Sequence, residues 1–525
     1  MKLTELLAAA GLDLPSNRDP EIAGLRIDSR KVGKGDLFLA LKGAHDDGSR
    51  YVADAIARGA VAVLTEGNPH PALEGSPEPH PGAEILPCPS LRGKVGDLFN
   101  AWSGRPAEGM DTAAVTGTNG KSTITKLTSS ILKAAGRKVI SLGTISYEID
   151  GRSAASELTT PGPDTFFGLL REGAESGCDA LAMEVSSHAL SQDRVKGVLF
   201  SRAIFTNLTR DHMDYHRDFE EYYQAKKRLF THYLRPGGIA ILNLDSPQGA
   251  RLARELSCAR LTFSRGRHAL ETAADPREVS AGRPPERPAA PADVELLGSE
   301  LTLSGTSFEV SFKGAPFGFK SRLVGTLNLE NLLAAVAFGF SMGFDAEVIR
   351  KGIADVTVPG RAQVFPLPSG GFAVVDYAHT PDALERILLS LRPLTPGELV
   401  CLFGCGGDRD RTKRPIMGGI AVDRADRAVL TSDNPRTENP EAILSEVAAG
   451  MRDRSRAVII ADRREAIRRA LGSLGAGDCL LVAGKGHEDY QIIGKEKRHF
   501  SDQEEILAWA AEGGRAAGGK GGHGA

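Results

Sequence analysis

Residues 115–123 read Val115-Thr116-Gly117-Thr118-Asn119-Gly120-Lys121-Ser122-Thr123. The apolar run Ala113-Ala114-Val115 leads into this stretch as a short strand. Ile124, Leu127, Ile131 and Leu132 follow it at helical spacing and share one face. A strand, a glycine-rich turn and an amphipathic helix in that order make a phosphate loop. The glycines let backbone N–H groups approach an anion, and the helix N-terminus adds positive potential. Lys121 then neutralises the outer phosphates, and the Ser122 hydroxyl suits a Mg2+ ion. The common spacing G-x-x-x-x-G-K-[ST] needs glycine at 115, where Val115 stands, so the loop is a variant. An ordinary glycine-rich turn is the plain alternative; the agreement of strand, loop, Lys-Ser pair and helix weighs against it.

Outward from the loop, strand-like runs recur at Lys138–Ile140, Ala180–Met183, Ala203–Phe205 and Ile239–Leu242, with helical patterns between them. Such alternation predicts βαβ units and a mostly parallel sheet. A second alternation begins near Pro359, with strands at Phe372–Val375, Leu399–Phe403, Ala428–Leu430, Ala457–Ile460 and Cys479–Val482. Before the loop, Asp36–Leu41 and Ala60–Leu64 read as strands of a small α/β unit. Residues 266–292 are polar and proline-rich and read as a surface excursion. The stretch from Gly513 is mostly Gly and Ala and reads as a disordered tail.

The chain has 525 residues, a prior of roughly three to four domains. Lys and Arg number 64 against 67 Asp and Glu, a net charge of -3 that argues against a nucleic-acid coat or a polybasic membrane binder. No apolar run approaches the roughly 20 residues of a spanning helix. The N-terminus shows no signal-peptide cleavage pattern. Six scattered cysteines make no disulfide framework, so a reducing cytoplasm is expected.

Two further clusters fall at strand ends. Glu184 closes the strand Ala180–Met183, and ligands of a parallel sheet bind outside the carboxyl ends of its strands. Glu184 is therefore expected to point where the phosphate loop points. After the next strand, Thr206 to His216 gathers Asn207, Asp211, His212, Asp214 and His216. A hard cation bridging phosphates takes a few such ligands and completes its shell with water. Zinc is disfavoured: His212 and His216 have no Cys pair or third His at ligand spacing.

Taken with Glu184-Val185-Ser186-Ser187-His188 and Asp211-His212-Met213-Asp214-Tyr215-His216, the phosphate loop resembles that of the Mur ligases of peptidoglycan synthesis. Four later motifs resemble the branch of that family that adds the third residue. They are Asp376-Tyr377-Ala378-His379-Thr380-Pro381-Asp382, Phe403-Gly404-Cys405-Gly406-Gly407-Asp408-Arg409-Asp410, Asp433-Asn434-Pro435-Arg436 and Gly484-Lys485-Gly486-His487-Glu488-Asp489-Tyr490-Gln491. The likeness runs from about Ile27 to about Gln491. It implies an α/β protein of three domains: a small N-terminal α/β domain for the uridine nucleotide (1–104), a central P-loop ATPase-type parallel sheet (105–356) and a C-terminal Rossmann-like domain for the incoming amino acid (357–512). It implies ATP-dependent addition of meso-2,6-diaminopimelate to UDP-MurNAc-L-Ala-D-Glu through an acyl phosphate, in peptidoglycan precursor synthesis, by a cytoplasmic monomer.

The resemblance also assigns residues. Gly117, Thr118, Asn119, Gly120, Lys121, Ser122 and Thr123 bind ATP phosphates, with Asn331, Arg361 and Asp376 as further ATP contacts. Ser122 and Glu184 hold one Mg2+, and His212 lies near a second. Lys226, in Ala225-Lys226-Lys227-Arg228-Leu229-Phe230, matches a lysine that CO2 converts to a carbamate; Lys227 is its neighbouring rival. Lys121, Glu184, His212 and Lys226 form the catalytic set. Ile27, Ser29, Ala44, His45, Asp46, Thr159, Thr160, Ser186, Gln192 and Arg194 match positions for the UDP-sugar dipeptide. Arg409, Asp433, Asn434, Pro435, Arg436, Gly484 and Glu488 match positions for diaminopimelate. Arg436 can fork onto its distal carboxylate, and Asp433 and Glu488 can take the ammonium. L-lysine, the leading rival substrate, lacks that carboxylate and would leave the arginine without its anion, so Arg436 is the discriminator. A folate polyglutamylation ligase is a second rival; Asp28-Ser29-Arg30 in the N-terminal unit speaks against it.

Overall fold

The computed structural model describes residues 1–43, 47–67, 83–209, 213, 215–266 and 291–513. These fall into two compact units, Met1–Leu242 with Arg251–Arg260, and Asn243–Ala250 with the chain from Leu261 onward. The expected excursion at 266–292 lies outside the described residues from 267 to 290, and the expected tail lies outside them from 514.

Unit 1 opens with a four-stranded sheet, β1 (Gly24–Arg26), β2 (Asp36–Ala40), β3 (Ala62–Thr65) and β4 (Glu84–Pro87), paired in parallel in that order. Its second sheet contains β5 (Asp111–Thr116), β6 (Val139–Leu142), β7 (Ser146–Ile149), β8 (Arg152–Ala155), β9 (Ala180–Glu184), β10 (Phe200–Phe205) and β11 (Leu234–Asn243), ordered β11-β10-β5-β9-β6-β7-β8. β5 sits between β10 and β9, parallel to both. It is buried from Thr112 to Thr116 and delivers the chain into the phosphate loop from the middle of the sheet. Burial on both faces explains why its sequence is a continuous apolar run rather than an alternating one.

Of the antiparallel edge β6-β7-β8, only β6 is among the strands read from the sequence; β7 and β8 are not. Asp150 and Gly151, at the turn between β7 and β8, both have positive φ (47° and 86°). An Asp-Gly pair is a hairpin signal, but the flanking Ser146–Ile149 and Arg152–Ala155 are too short and mixed to stand out.

In unit 2, β12 (Ala259–Ser264) runs parallel to β13 (Val294–Thr302), which continues as an antiparallel meander through β14 (Gly305–Phe312) and β15 (Ala315–Ser321). A six-stranded sheet follows: β16 (Gln363–Pro366), β17 (Phe372–Asp376), β18 (Leu399–Phe403), β19 (Arg427–Leu430), β20 (Ala457–Ile459) and β21 (Cys479–Ala483), ordered β16-β17-β21-β18-β19-β20. All its pairs are parallel except β16–β17. Alternate residues serve opposite faces. Val374, Cys401, Phe403 and Leu481 pack in one core, and Val375, Val400, Leu402 and Leu480 in another with Trp509. A hairpin, β22 (Tyr490–Ile493) and β23 (Glu496–His499), follows β21.

The three α/β parts expected from the sequence are all present. Every strand read from it after residue 359 reappears within a residue or two, because buried parallel strands announce themselves as apolar runs. All six cysteines are free. No helix among the described residues is long and apolar enough to cross a membrane.

Candidate active site

The phosphate loop connects β5 to the helix Lys121–Ala134. Gly120 caps that helix with φ 86°. Gly117 has φ 151°, and a Cβ there would meet the Thr206 hydroxyl at 1.8 Å, so only glycine fits. The segment after β10 latches the loop. Thr118 N–H donates to the Asn207 carbonyl (2.9 Å), Asn119 N–H to Asn207 Oδ1 (3.0 Å), and Thr209 N–H to Thr118 Oγ1 (3.0 Å). The Lys121 ammonium donates to the carbonyls of Gly117 (3.0 Å) and Thr118 (2.8 Å). Ser122 and Thr123 are buried in the first helical turn.

Glu184 stands at the end of β9 in register with Val115, and Val185 N–H donates to the Val115 carbonyl at 2.8 Å. The carboxylate expected beside the phosphate loop is thus one strand away from its root. It is buried, and Thr144 holds it: N–H to Oε1 at 2.7 Å and hydroxyl to Oε2 at 3.0 Å. A Cβ at Gly143 would come within 2.3 Å of Oε1, so this glycine gives the carboxylate its room. Thr160 continues the support. Its hydroxyl donates to the Glu184 carbonyl (2.9 Å) and accepts from Ser186 N–H (3.0 Å). Arg194 donates to the Thr160 carbonyl (3.0 Å) and twice to Gln192 Oε1 (3.0 and 2.8 Å). Thr159 Oγ1 lies 3.0 Å from Thr144 Oγ1. Glu184, Thr159, Thr160, Ser186, Gln192 and Arg194, scattered along the chain from Thr159 to Arg194, therefore form one connected polar patch.

Lys226 lies on the helix Phe219–Thr231, whose Asp218 cap accepts from Glu221 N–H. The two neighbouring lysines have different surroundings. Lys226 is 1% exposed, with its ammonium donating to the Gly117 carbonyl at 2.8 Å and lying 4.6 Å from the centre of the Tyr222 ring. Lys227 instead pairs with Glu255 at 2.9 Å.

In the N-terminal sheet's unit, Ser29 is buried in a 3-10 turn capped by Asp28, and Ile27 is half-buried beside it. Arg30 grips Asp28 through Nε and one terminal nitrogen and pulls that carboxyl down to about 2.

In unit 2, Asn331 is buried on the helix Thr326–Ser341 and donates to Asn328 Oδ1 at 3.1 Å. Asp376 ends β17 and accepts from Ala362 N–H at 2.7 Å; burial raises its carboxyl against the opposing pull of Arg361. The helix Pro381–Leu391 is capped by Thr380, which accepts from Ala383 N–H. The Arg361 guanidinium lies 4.6 Å from the centre of the Tyr377 ring.

The loops after β19 and β21 meet in the same unit. Asn434 Nδ2 donates to Glu488 Oε2 at 3.0 Å. Gly484, with φ 113°, lets Asp433 approach; a Cβ there would stand 2.7 Å from Asp433 Oδ2. Arg436, at φ 52°, donates from one terminal nitrogen to the Gly407 carbonyl at 2.8 Å. Burial and the neighbouring Asp433 push the Glu488 carboxyl up. Arg409 is exposed, and one of its terminal nitrogens donates to the Asp408 carbonyl at 3.2 Å. Asp433, Asn434, Pro435, Arg436, Gly484 and Glu488 thus come together as two facing loops.

Three families match along the chain: the Mur ligase family catalytic domain at 21–91, the Mur ligase middle domain at 115–339 and the Mur ligase glutamate ligase domain at 360–486. UDP-N-acetylmuramoyl-L-alanyl-D-glutamate--2,6-diaminopimelate ligase of Gloeobacter violaceus is 43% identical over 507 residues, 96% of this chain and 97% of the relative. The chain belongs to the Mur ligase family. The ligase of the same name from Synechococcus elongatus is 42% identical over 500 residues, covering 94% and 95% of the two chains. A solved structure of a ligase with this name is 30% identical and superposes with a TM-score of 0.68, over 98% of this chain and 100% of the other.

A Mur ligase is an ATP-dependent, Mg2+-requiring enzyme, so the donor set must suit that ion. Among the described residues no three His, Cys, Asp or Glu cluster as a cage. Mg2+ does not need one: it keeps waters and phosphate oxygens and takes one or two hard protein oxygens. The Ser122 hydroxyl and the Glu184 carboxylate, its two oxygens already aimed by Thr144, are donors of that kind. His212, and Ala44, His45 and Asp46 expected at the dipeptide, lie outside the described residues. Three supporting residues escaped the sequence reading of this Mur ligase: Thr144, Tyr222 and Lys485. Thr144 and Tyr222 had no local signal. Lys485 stood inside a quoted motif, where a buried lysine between two acids is not legible.

Proposed function

We propose that this Mur ligase joins meso-2,6-diaminopimelate to UDP-MurNAc-L-Ala-D-Glu, with ATP converted to ADP and phosphate, to give the UDP-MurNAc-tripeptide of peptidoglycan precursor synthesis. A carboxylate is a poor acyl donor because its leaving group would be oxide. Transfer of the γ-phosphoryl to that carboxylate gives an acyl phosphate; an amine attacks the carbonyl, and the tetrahedral adduct expels phosphate. The task of the protein is to hold several anions together and neutralise them.

The loop residues Gly117–Thr123 bind the ATP phosphates, with Lys121 as the mobile cation. Ser122 and Glu184, with His212, would hold Mg2+, which supplies charge neutralisation when bound. Asn331, Arg361 and Asp376 are assigned as further ATP contacts on motif likeness. Lys226 is the proposed carbamate position: its Nζ is buried against the phosphate loop, whereas that of Lys227 is committed to Glu255. Ile27, Ser29, Ala44, His45, Asp46, Thr159, Thr160, Ser186, Gln192 and Arg194 are assigned to the UDP-sugar dipeptide. Arg409, Asp433, Asn434, Pro435, Arg436, Gly484 and Glu488 are assigned to the diamino acid. Arg436 favours a substrate with a distal carboxylate over L-lysine, which would leave the half-buried guanidinium without its anion. A cytoplasmic monomer with no nucleic-acid or membrane partner completes the reading.

The observation that carries the substrate assignment is the 43% identity, over 97% of its length, to a relative named for this reaction. The test is phosphate release with UDP-MurNAc-dipeptide, ATP and Mg2+, dependent on the added amino acid. Turnover with meso-diaminopimelate at least tenfold above L-lysine is expected; equal or better turnover with L-lysine rejects the assignment.

A further inference from the structure

Lys485 has no exposed side-chain surface, yet it carries an ammonium. It sits between the two loops assigned to the diamino acid. Its Nζ donates to Asn434 Oδ1 at 3.2 Å and to the Tyr490 carbonyl, and lies 3.9 Å from Asp433 Oδ1 and 3.8 Å from Glu488 Oε2. The Tyr490 ring is 5.7 Å away. A lysine is rarely buried without partners, and this one spends its donors on groups that flank the proposed substrate.

Two consequences follow from the geometry. Asn434 Oδ1 accepts from both Lys485 and Ile492 N–H (2.9 Å), which fixes the amide so that its Nδ2 faces Glu488 at 3.0 Å. Without the ammonium that orientation loses one of its two determinants. Asp433 and Glu488 are also two carboxylates around one cation, a net charge of -1. A substrate ammonium makes that group neutral. Without Lys485 the same two acids would repel each other, and one would take up a proton rather than receive an ammonium.

We propose that Lys485 is a positioning residue for the incoming diamino acid, orienting the Asn434 amide and holding Asp433 and Glu488 as a pair of net charge -1. This rests on the assignment of these loops to the amino acid. Burial lowers the ammonium's own proton affinity below that of a free lysine, and Asp433 and Glu488 oppose part of that fall.

The test is steady-state kinetics on the full chain carrying Lys485→Gln or Lys485→Arg, varying each substrate in turn. Lys485→Gln should raise KM for meso-diaminopimelate about tenfold or more while KM for ATP stays within twofold. Lys485→Arg, which keeps the charge in a bulkier form, should raise it by less. Unchanged amino-acid KM, or KM values for ATP and amino acid that rise by the same factor, overturns the proposal. If the glutamine variant does not fold, the arginine variant decides alone: an amino-acid KM raised threefold at constant ATP KM supports the role, and no rise or a parallel one rejects it. Wild-type protein is assayed first; if another amino acid supports turnover better, the functional reading fails, and the same comparison run with that amino acid still judges Lys485.

Discussion

The Lys226 ammonium donates to the Gly117 carbonyl at 2.8 Å, so a residue on the helix Phe219–Thr231 touches the phosphate loop 109 residues away in sequence. Lys227, next in the chain, turns to Glu255 instead. Replacement of Lys226 by Ala should therefore reduce product formation by at least about a hundredfold. Replacement of Lys227 by Ala should leave it within about twofold, since a partly exposed ion pair contributes little. Amino-acid-dependent phosphate release measures both, and a small carboxylate added to the Lys226→Ala protein tests for rescue. Equal effects would remove the distinction between the two lysines.

Thr144 aims Glu184 with two hydrogen bonds. Thr144→Val keeps the backbone donor and the shape but removes the hydroxyl. Groups that orient a metal-holding carboxylate are worth about 10–100-fold in activity or metal affinity. The predicted result is a rise of that order in the Mg2+ concentration for half-maximal turnover, with a thermal midpoint near wild type. A Mg2+ dependence that does not move would mean that Glu184 needs no such support.

Arg463 and Asp502 form a fully buried pair, Nε to Oδ1 at 2.8 Å and a terminal nitrogen to Oδ2 at 2.7 Å, and the same nitrogen also donates to the Ala483 carbonyl at the end of β21. Asp502→Ala leaves an unpaired buried guanidinium, which costs about 3–5 kcal/mol. Urea unfolding of unit 2, followed through Trp509, should show a loss of that size; a loss below about 1 kcal/mol would contradict it.

His487 is held down to about 4, first by burial and then by the Arg361 charge. The unfolded imidazole titrates near 6.5, so between the two values the unfolded state binds more protons. The contribution of neutral His487 is complete above pH 6.5 and is lost as pH falls through about 4. It amounts to about 3 kcal/mol at most. His487→Gln should flatten the decline of Tm from pH 6.5 to 4 relative to wild type. Parallel Tm profiles for the two proteins would show that His487 does not carry this dependence.

The sequence made the parallel strands and the phosphate loop legible because both are local patterns: Ala180–Met183 and Leu399–Phe403 are buried on both faces and read as apolar runs. It also placed Glu184 beside the loop, since a strand end in a parallel sheet has few places to point. The meander Val294–Ser321 was not legible, because Leu296-Leu297-Gly298 breaks the alternation of its first strand and Pro316 and Gly318 interrupt its last. Nor was the supporting layer of the site. Thr144 reaches Glu184 across 40 residues and Tyr222 reaches Thr118 across 104, and no spacing rule encodes such contacts. Motif likeness named Lys226, but only burial separates it from Lys227.

The central claim is that the acceptor acid is activated by phosphoryl transfer before the amine attacks. UDP-MurNAc-dipeptide labelled with oxygen-18 at both oxygens of that carboxylate tests it most directly, by mass analysis of the phosphate released in one turnover. The account predicts phosphate carrying one oxygen-18 and an amide retaining the other. Phosphate without label would contradict it.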